Sequence, residues 1–322
     1  MPISPTIEML TMVRVLEATL TRFGQLGRRA RIVITVGGDI DLDDLIGRLP
    51  WIDPDRIEFR SCPRLLYNRF GIFGTVMHRL NHRYESDVVV LADADLVIAG
   101  RLNDLVRHLR RSPEVSGVIA HATPFTDGHD LWDEIFRSTE LQPPERPYEY
   151  SGWPLMDPNK NRPSIPNSPA PRTPAYFNLG LVGGPRTTIA KIGSCYEEMF
   201  IATRRALGTT VFAAQIALTL SIARLRIPHR ALPMRFNFAN DPRLEALHPE
   251  ELRDIRVVHL LRNHQGVNKR RLYRGVDDLR AMAARYDLSG ANEAARRSLS
   301  EVLVELEAAP TAIGEIGETA WW

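Results

Sequence analysis

The stretch "VVVLADADLVIAG", residues 88–100, places two aspartates one residue apart inside an otherwise apolar run. Apolar runs without polar alternation are typical of a parallel strand that is covered on both faces. An ionised carboxylate is costly to bury unless cations or hydrogen-bond donors face it. Asp93 and Asp95 are therefore candidate ligands for a cation that prefers oxygen, Mg²⁺ or Mn²⁺. The alternative is that the pair caps the turn after the strand.

The composition predicts an ordinary globular protein. Of the 322 residues, 44% are hydrophobic and 25% are charged, and the formal net charge is +2. A charge so close to balance argues against a nucleic-acid partner held by bulk electrostatics. The two cysteines, Cys62 and Cys195, suggest neither a disulfide framework nor a zinc site. The sequence start lacks a signal-peptide pattern, and no run approaches the ~18 apolar residues of a spanning helix. We therefore expect a cytoplasmic protein with no transmembrane segment.

Helices and strands alternate over the first 120 residues. Residues 7–24 carry apolar side chains at helical spacing and end at Gly24, a residue type common just after a helix. The run "RIVITVGGD", residues 31–39, predicts the first buried strand of a parallel sheet. Beyond it, the pattern predicts a strand at 57–59, a helix at 71–84, a strand at 88–92, a helix at 103–111 and a strand at 115–120. This alternation predicts an α/β fold with a mostly parallel, doubly wound sheet flanked by helices.

A long segment then interrupts the alternation. Residues 142–175 are rich in Pro, Ser and Asn, and loops of this length are usually functional or disordered. The aromatic residues of 148–153 favour a loop that packs over another part of the molecule. From about residue 276 onward, two amphipathic C-terminal helices are predicted. The chain therefore divides into residues 1–274 and a helical extension with a tail over 275–322.

Four segments carry a resemblance to a known family. In chain order they are "VVVLADADLVIAG", "YFNLGLVGG", "VFAAQIAL" and "VVHLLRNHQGVNK". From about residue 30 to 274 the sequence resembles the GT-A glycosyltransferases, which use nucleotide-sugar donors. Within them it is most similar to the family of glycogenin and the bacterial lipopolysaccharide galactosyltransferases, family 8. The resemblance implies a GT-A catalytic domain over residues 1–274, in which the loop 142–175 lies on the acceptor side.

The resemblance implies a metal site. Asp93 and Asp95 match the metal-binding pair of the family, and a histidine is its third ligand. Two histidines compete for that place. His259 ends an apolar strand, where the family has its ligand, whereas His264 lies closer to the Gly-x-x-Lys segment; we favour His259. The implied cofactor is Mn²⁺ or Mg²⁺.

Two catalytic candidates follow from the same resemblance. Asn178 matches the family residue that lies against the donor sugar, and Gln215 matches a residue at the start of a helix. The sequence also departs from the family. The family's serine is Leu179 here, and its aspartate before Gln215 is Ala214. Because that aspartate contacts the donor sugar in the family, the stereochemical outcome of a transfer stays open.

The nucleotide is expected at the end of the first predicted strand and beside the metal. The resemblance places the base against residues 35–39, where glycines let a ring approach the backbone, although two adjacent glycines in a turn need no ligand. Arg79, with Arg69 in reserve, is the expected basic residue of the helix before the metal strand, and Lys269 would add positive charge at the diphosphate. The donor-binding candidates are Thr35, Val36, Gly37, Asp39, Arg79, Asp93, Ala94 and Lys269.

The acceptor side is expected after the strand at 115–120. The segment "HATPFTDGHDLWDEIF" begins at His121 and contains several acids. An inverting enzyme needs a base that deprotonates the attacking hydroxyl, and we nominate Asp127 or Asp130. A retaining enzyme does not need this base. Residues 148–153 and Trp321-Trp322 are candidates for a sugar platform, for core packing or for contacts in a homo-oligomer.

These motifs together predict a metal-dependent glycosyltransferase. It would move a hexose from a nucleoside-diphosphate sugar to an acceptor hydroxyl that the sequence does not identify, and a uridine-based donor is the first choice. A sugar-phosphate nucleotidyltransferase is a lesser alternative, because the segment after the first predicted strand, "VGGDIDLDDL", is acidic and lacks the cationic Gly-rich loop of that class. A non-catalytic GT-A-like binding or scaffold protein is the other alternative, which Ala214 keeps open.

Overall fold

The computed structural model describes residues 1–26, 30–38, 40–125, 130–153 and 170–308. Helices and strands alternate along this chain. The strands are β1 Pro2–Ile3, β2 Ile32–Val36, β3 Ile57–Ser61, β4 Val88–Ala92, β5 Leu96–Ile98, β6 Val115–Ile119, β7 Tyr148–Glu149, β8 Arg172–Thr173, β9 Phe177–Pro185, β10 His229–Ala231, β11 Phe238–Ala239 and β12 Val257–His259. The helices are α1 Ile7–Phe23, α2 Leu42–Gly47, α3 Arg64–Phe70, α4 Ile72–Leu80, α5 Asn103–Arg111, α6 Trp132–Ser138, α7 Arg186–Leu207, α8 Ala213–Arg224, α9 Pro242–Leu247, α10 Pro249–Leu252, α11 Lys269–Leu272, α12 Val276–Ala283 and α13 Gly290–Ala308.

The α/β class, with parallel strands and flanking helices, is confirmed. β1, β2 and β3 pair in parallel, as do β6 with β10 and β11 with β12. Antiparallel pairing is more extensive than the sequence predicts: β9 runs antiparallel to both β4 and β6, and β5 runs antiparallel to β12. These long-range pairings bring the ends of β4, β9 and β12 together. The site described below lies there.

The strand predicted within residues 31–39 is present as β2, and a two-residue strand that the sequence did not predict, β1, precedes it. Pro2 and Ile3 pair in parallel with Thr35 and Val36 of β2. A two-residue strand is too short to show a periodic pattern, so the sequence gives no signal for it.

Within the described residues β4 pairs with β9 alone. A cavity of about 1030 Å³ is lined by residues of β2, β4, α1 and α5.

Packing accounts for two of the residues nominated for the nucleotide. Thr35 is fully buried, and its Oγ1 lies 2.9 Å from Nε2 of His82. A Cβ at Gly37 would lie 2.1 Å from Cε2 of Tyr67, so glycine is required there for the ring of Tyr67 to pack. Val36 is also buried, and Asp39 lies outside the described residues. A nucleotide role for these positions stays a prediction.

His82 should make the protein lose stability in mild acid. Burial, with smaller effects from His78 and Arg60, lowers its pKa to about 4, whereas the unfolded chain has the ordinary value near 6.5. The unfolded state therefore binds more protons between these values, so stability is full above pH ~6.5 and falls as the pH drops toward ~4. The loss is on the order of 3 kcal/mol. Urea unfolding of wild type and His82→Gln at pH 7 and pH 4.5 would measure it. We expect a smaller loss in the variant, and equal losses would contradict this.

The described part of the Pro-rich segment packs on the fold. β7 and β8 pair with each other, and Tyr150 is buried beside Tyr176. The indole Nε1 of Trp132 donates a hydrogen bond to the hydroxyl of Tyr150 at 3.0 Å. Tyr150 thus belongs to the hydrophobic cluster that also contains Trp132 of α6. Residues 154–169 lie outside the described residues.

The C-terminal helices share the core of the N-terminal part. Leu279, Leu299 and Val302 belong to the same buried cluster as Leu10 and Val13 of α1. The division of the chain at residue 274 stays a prediction. Trp321 and Trp322 lie outside the described residues. Within the described ranges, the helices are too short or too polar to cross a membrane.

Candidate functional site

Three side chains suited to a metal ion meet where β4 ends. Asp93 and Asp95 follow β4, and the antiparallel pairing of β5 with β12 sets His259 opposite Leu96. One ligand atom from each of Asp93, Asp95 and His259 lies within 4.8 Å of the other two. The side chains of Asp95 and His259 are 10% and 3% exposed, whereas that of Asp93 is 38% exposed. The group therefore opens to solvent on the side of Asp93.

Asp95 is held by two nitrogen groups. Its Oδ1 lies 3.1 Å from Nε2 of His259, and its Oδ2 accepts a 2.6 Å hydrogen bond from Nζ of Lys269. Burial alone would raise the pKa of Asp95, but His259 and Lys269 hold it well below its ordinary value. The protein covers most of Asp93, and this partial loss of solvent raises its pKa against the opposing charge of Arg79. Asp95 is thus a carboxylate in place before any ligand arrives.

A chain of amides places a proton on Nδ1 of His259. The backbone N–H of Gly180 donates to Oδ1 of Asn178 at 2.9 Å, which identifies that atom as the oxygen. The same oxygen accepts from Nδ2 of Asn237 at 3.1 Å, and Oδ1 of Asn237 lies 2.9 Å from Nδ1 of His259. Because an amide oxygen can only accept, Nδ1 carries the proton. Nε2 is then left facing Asp95.

The residues present fit a divalent cation. Nε2 of His259 is buried and makes no hydrogen bond within the described part of the chain, although a carboxylate oxygen lies 3.1 Å away. With a proton on Nδ1, Nε2 can face that oxygen favourably in two ways: it carries a second proton in the metal-free protein, or a cation lies beside both atoms. A carboxylate pair with one imidazole is a donor set that suits Mn²⁺ or Mg²⁺.

His264 is not part of this group. It lies in a turn in which it bridges Val267, and its carbonyl accepts a hydrogen bond from Nδ2 of Asn292 at 3.0 Å. Of the two competing histidines, the structure brings His259 to the carboxylates. Its role as a ligand stays a prediction.

Arg79 lies beside Asp93. Its side chain is 1% exposed, and Nη1 lies 3.2 Å from the carbonyl of Ala92 and 3.8 Å from Oδ1 of Asp93. Its Nε makes no hydrogen bond within the described residues. Arg69, the reserve candidate, is exposed, and its guanidinium lies over the ring of Phe70. Arg79 is therefore the arginine that adjoins the site. Ala94, between the two aspartates, is buried, and its contact with a nucleotide stays a prediction.

The remaining catalytic candidates have different surroundings. Gln215 lies in the first turn of α8, and its Oε1 is buried without a partner in the described structure. Ala214 beside it is buried, and its carbonyl accepts from the hydroxyl of Tyr196 at 2.8 Å. Oδ1 of Asp130 accepts from the backbone N of Trp132 at 3.1 Å, and its carboxylate pairs with Arg146. Those contacts give Asp130 a structural role, and its use as a base stays a prediction. Asp127 lies outside the described residues.

A neutral histidine lies on the expected acceptor side. Nδ1 of His121 lies 2.9 Å from Oγ of Ser151, and burial lowers the pKa of His121 to about 3. The imidazole is therefore uncharged near neutral pH. The backbone N–H of Gly152 donates a hydrogen bond to the carbonyl of His121. The described end of the Pro-rich segment therefore passes beside His121.

Sequence reasoning missed Asn237. The residue lies between two phenylalanines in "RFNFAN", and a buried amide in such a frame must be hydrogen-bonded. The position of Asn237 between two phenylalanines could therefore have identified it as a buried, hydrogen-bonded amide. Its partners, Asn178 and His259, are 59 and 22 residues away along the chain, so no local pattern identifies them.

Fold and site together define an α/β protein with a buried carboxylate–histidine group suited to a divalent cation. No protein-family model matches the chain, and no curated protein sequence does. A solved structure of the galactosyltransferase LgtC in complex with donor and acceptor sugar analogues is similar to it, with 14% identity over 93% of this chain and 92% of that chain. The TM-score is 0.49. A likeness of this degree carries no argument about the activity of this protein.

Proposed function

We propose that the protein is a metal-dependent glycosyltransferase of the GT-A type, which moves a hexose from a nucleoside-diphosphate sugar to an acceptor hydroxyl. The observation that carries the proposal is the meeting of Asp93, Asp95 and His259 within 4.8 Å, with Lys269 bound to Asp95. These residues come from two of the four segments that resemble the family. A uridine diphosphate donor is the first choice within this class.

Asp93, Asp95 and His259 would hold Mn²⁺ or Mg²⁺, which when bound neutralises charge on a departing diphosphate. The protein's own residues supply the rest. The ammonium of Lys269 reaches the same carboxylate and adds positive charge beside the site. The buried guanidinium of Arg79 forms an ion pair with Asp93. Pre-placed charges of this kind stabilise a leaving group without reorganising during the reaction.

The acceptor and the stereochemical outcome define a second part of the proposal. Asn178 and Gln215 are proposed to contact the donor sugar. Asp127 or Asp130 would serve as a base only in an inverting enzyme. The catalytic domain is proposed to span residues 1–274. A cytoplasmic location and self-association stay predictions.

Calorimetric titration with UDP, with and without Mn²⁺, tests the proposal. We expect UDP to bind with Mn²⁺ and to bind at least ~10-fold more weakly without it, because the diphosphate would otherwise face Asp93 and Asp95 with no cation between them. GDP serves as the matched control. Binding of GDP in place of UDP would change the donor, and the absence of any nucleotide binding would contradict the proposal.

A non-catalytic nucleotide-sugar-binding protein is the second candidate, and buried Ala214 favours it. In this case the site would bind donor and metal without transfer. Slow hydrolysis of a donor sugar in the absence of acceptor distinguishes the two. Metal-dependent hydrolysis supports the enzyme, whereas intact binding with no hydrolysis and no transfer across an acceptor panel supports the binding protein.

A further inference from the structure

We propose that Asn237 is a positioning residue that joins the metal ligand His259 and the sugar-contacting Asn178 into one hydrogen-bonded unit. We further propose that Asn178 meets its ligand only as a hydrogen-bond donor. This inference rests on the proposed function and names how that site selects its ligand.

The first step concerns Asn178. An amide oxygen has two lone pairs, and both are used within the protein, by the N–H of Gly180 and by Nδ2 of Asn237. The Nδ2 group of Asn178 is the part left for a ligand, and the residue is partly exposed. The atom that it contacts must therefore be an acceptor, such as a hydroxyl or diphosphate oxygen of the donor.

The second step concerns Asn237. Its side chain is buried, with the residue 1% exposed, so it acts through its two partners and not on a ligand. Its backbone N–H donates to the carbonyl of Met234, and β11, which follows it, pairs with β12 next to His259. A flipped amide would break both side-chain hydrogen bonds at once. The orientation of Asn237 is thus fixed, and it keeps Nδ1–H of His259 bonded to Asn237 while Nε2 faces Asp95, where a cation would bind.

The third step is that the two partners are coupled. Hydrogen-bonded chains polarise one another in a low-dielectric interior. A cation at Nε2 makes Nδ1–H of His259 a stronger donor to Asn237, which in turn strengthens the bond from Nδ2 of Asn237 to Asn178. The amide of Asn178 becomes a better donor to a sugar or diphosphate oxygen. Metal and donor should therefore bind more tightly together than separately, in both orders.

Two substitutions at Asn237 separate these contacts. Asn237→Ala removes both hydrogen bonds, so we expect Mn²⁺ affinity without nucleotide to fall ~10- to 100-fold, as for other partners of metal-binding histidines. Asn237→Asp keeps an acceptor for Nδ1–H of His259 but loses the donor to Asn178. We expect it to keep Mn²⁺ affinity and to lose the preference for UDP-hexose over UDP. Electron paramagnetic resonance titration of Mn²⁺ and calorimetry of the two nucleotides give these values.

Asn240→Ala is the matched control, because Asn240 is also buried and bonds the backbone of Arg262 and the amide of Asn292. Imidazole ¹⁵N shifts of metal-free protein add a spectroscopic readout: Nδ1–H in wild type and Asn237→Asp, and a tautomer mixture in Asn237→Ala. Equal losses of Mn²⁺ affinity in Asn237→Ala and Asn240→Ala, or no loss in the former, would overturn the proposal. Wild type that binds Mn²⁺ but no nucleotide would refute the proposed function instead. The Mn²⁺ affinities and ¹⁵N shifts of the variants would still test whether Asn237 positions His259.

Discussion

Asp95→Asn is expected to weaken Mn²⁺-dependent UDP binding by more than the ~10- to 100-fold lost when a partner of a metal ligand is removed, because it removes a charged ligand itself. The change also leaves Lys269 and His259 facing a neutral amide where a carboxylate now lies at 2.6 and 3.1 Å. A cation would then have to compete with the ammonium for one carbonyl oxygen. Calorimetric titration of UDP into Mn²⁺-loaded and metal-free samples of both proteins measures the effect. Thermal unfolding checks that the variant is folded.

Asp241→Asn provides the control for this substitution. Asp241 is as buried as Asp95 and pairs with Arg243 at 2.7 Å, but it is not one of the three grouped side chains. We expect it to lose stability while it keeps Mn²⁺-dependent binding. An Asp95→Asn protein that is folded and still binds UDP in a metal-dependent way would refute the assignment of Asp95 as a ligand.

Gly180→Ala is expected to weaken Mn²⁺ binding by about 10- to 100-fold, through His259. A Cβ at position 180 would lie 2.3 Å from Cε1 and 2.4 Å from Nδ1 of His259, and 2.9 Å from Oδ1 of Asn178. Real contacts are not this short, so the imidazole must move and its bond to Asn237 must break. Overpacking of a buried position should also cost ~1–3 kcal/mol of stability. Mn²⁺ titration and urea unfolding measure the two effects.

Gly47→Ala is the matched control, because a Cβ there meets nothing within 4 Å. We expect it to change neither Mn²⁺ binding nor the urea midpoint by more than a small amount. If Gly180→Ala bound Mn²⁺ as tightly as Gly47→Ala, His259 would not be a ligand. A loss of stability with unchanged Mn²⁺ affinity would lead to the same conclusion.

The sequence was sufficient where the signal is local. The apolar run into Asp93 and Asp95 predicted a strand that ends in two carboxylates, and the structure has β4 there. The alternation of helices and strands predicted the α/β class. Both follow from neighbouring residues, whose pattern is visible along the chain.

The sequence was insufficient for short strands and for strand pairings between distant parts of the chain. Pro2–Ile3 forms β1 by pairing with residues more than 30 positions away, and two residues carry no period. The antiparallel direction of β9 likewise depends on pairing with β4 and β6. Strand direction is set by where the connections run, which local patterns do not encode.

The sequence by itself determined which carboxylates follow β4 and that they need a cationic or donor partner, because burial of charge is costly wherever the chain folds. The tertiary structure alone decided the partners. Lys269 reaches Asp95 from 174 residues away, His259 takes its place through the pairing of β12 with β5, and Asn237 fixes the proton of His259. These contacts join residues that are far apart in sequence, so they exist only once the chain has folded.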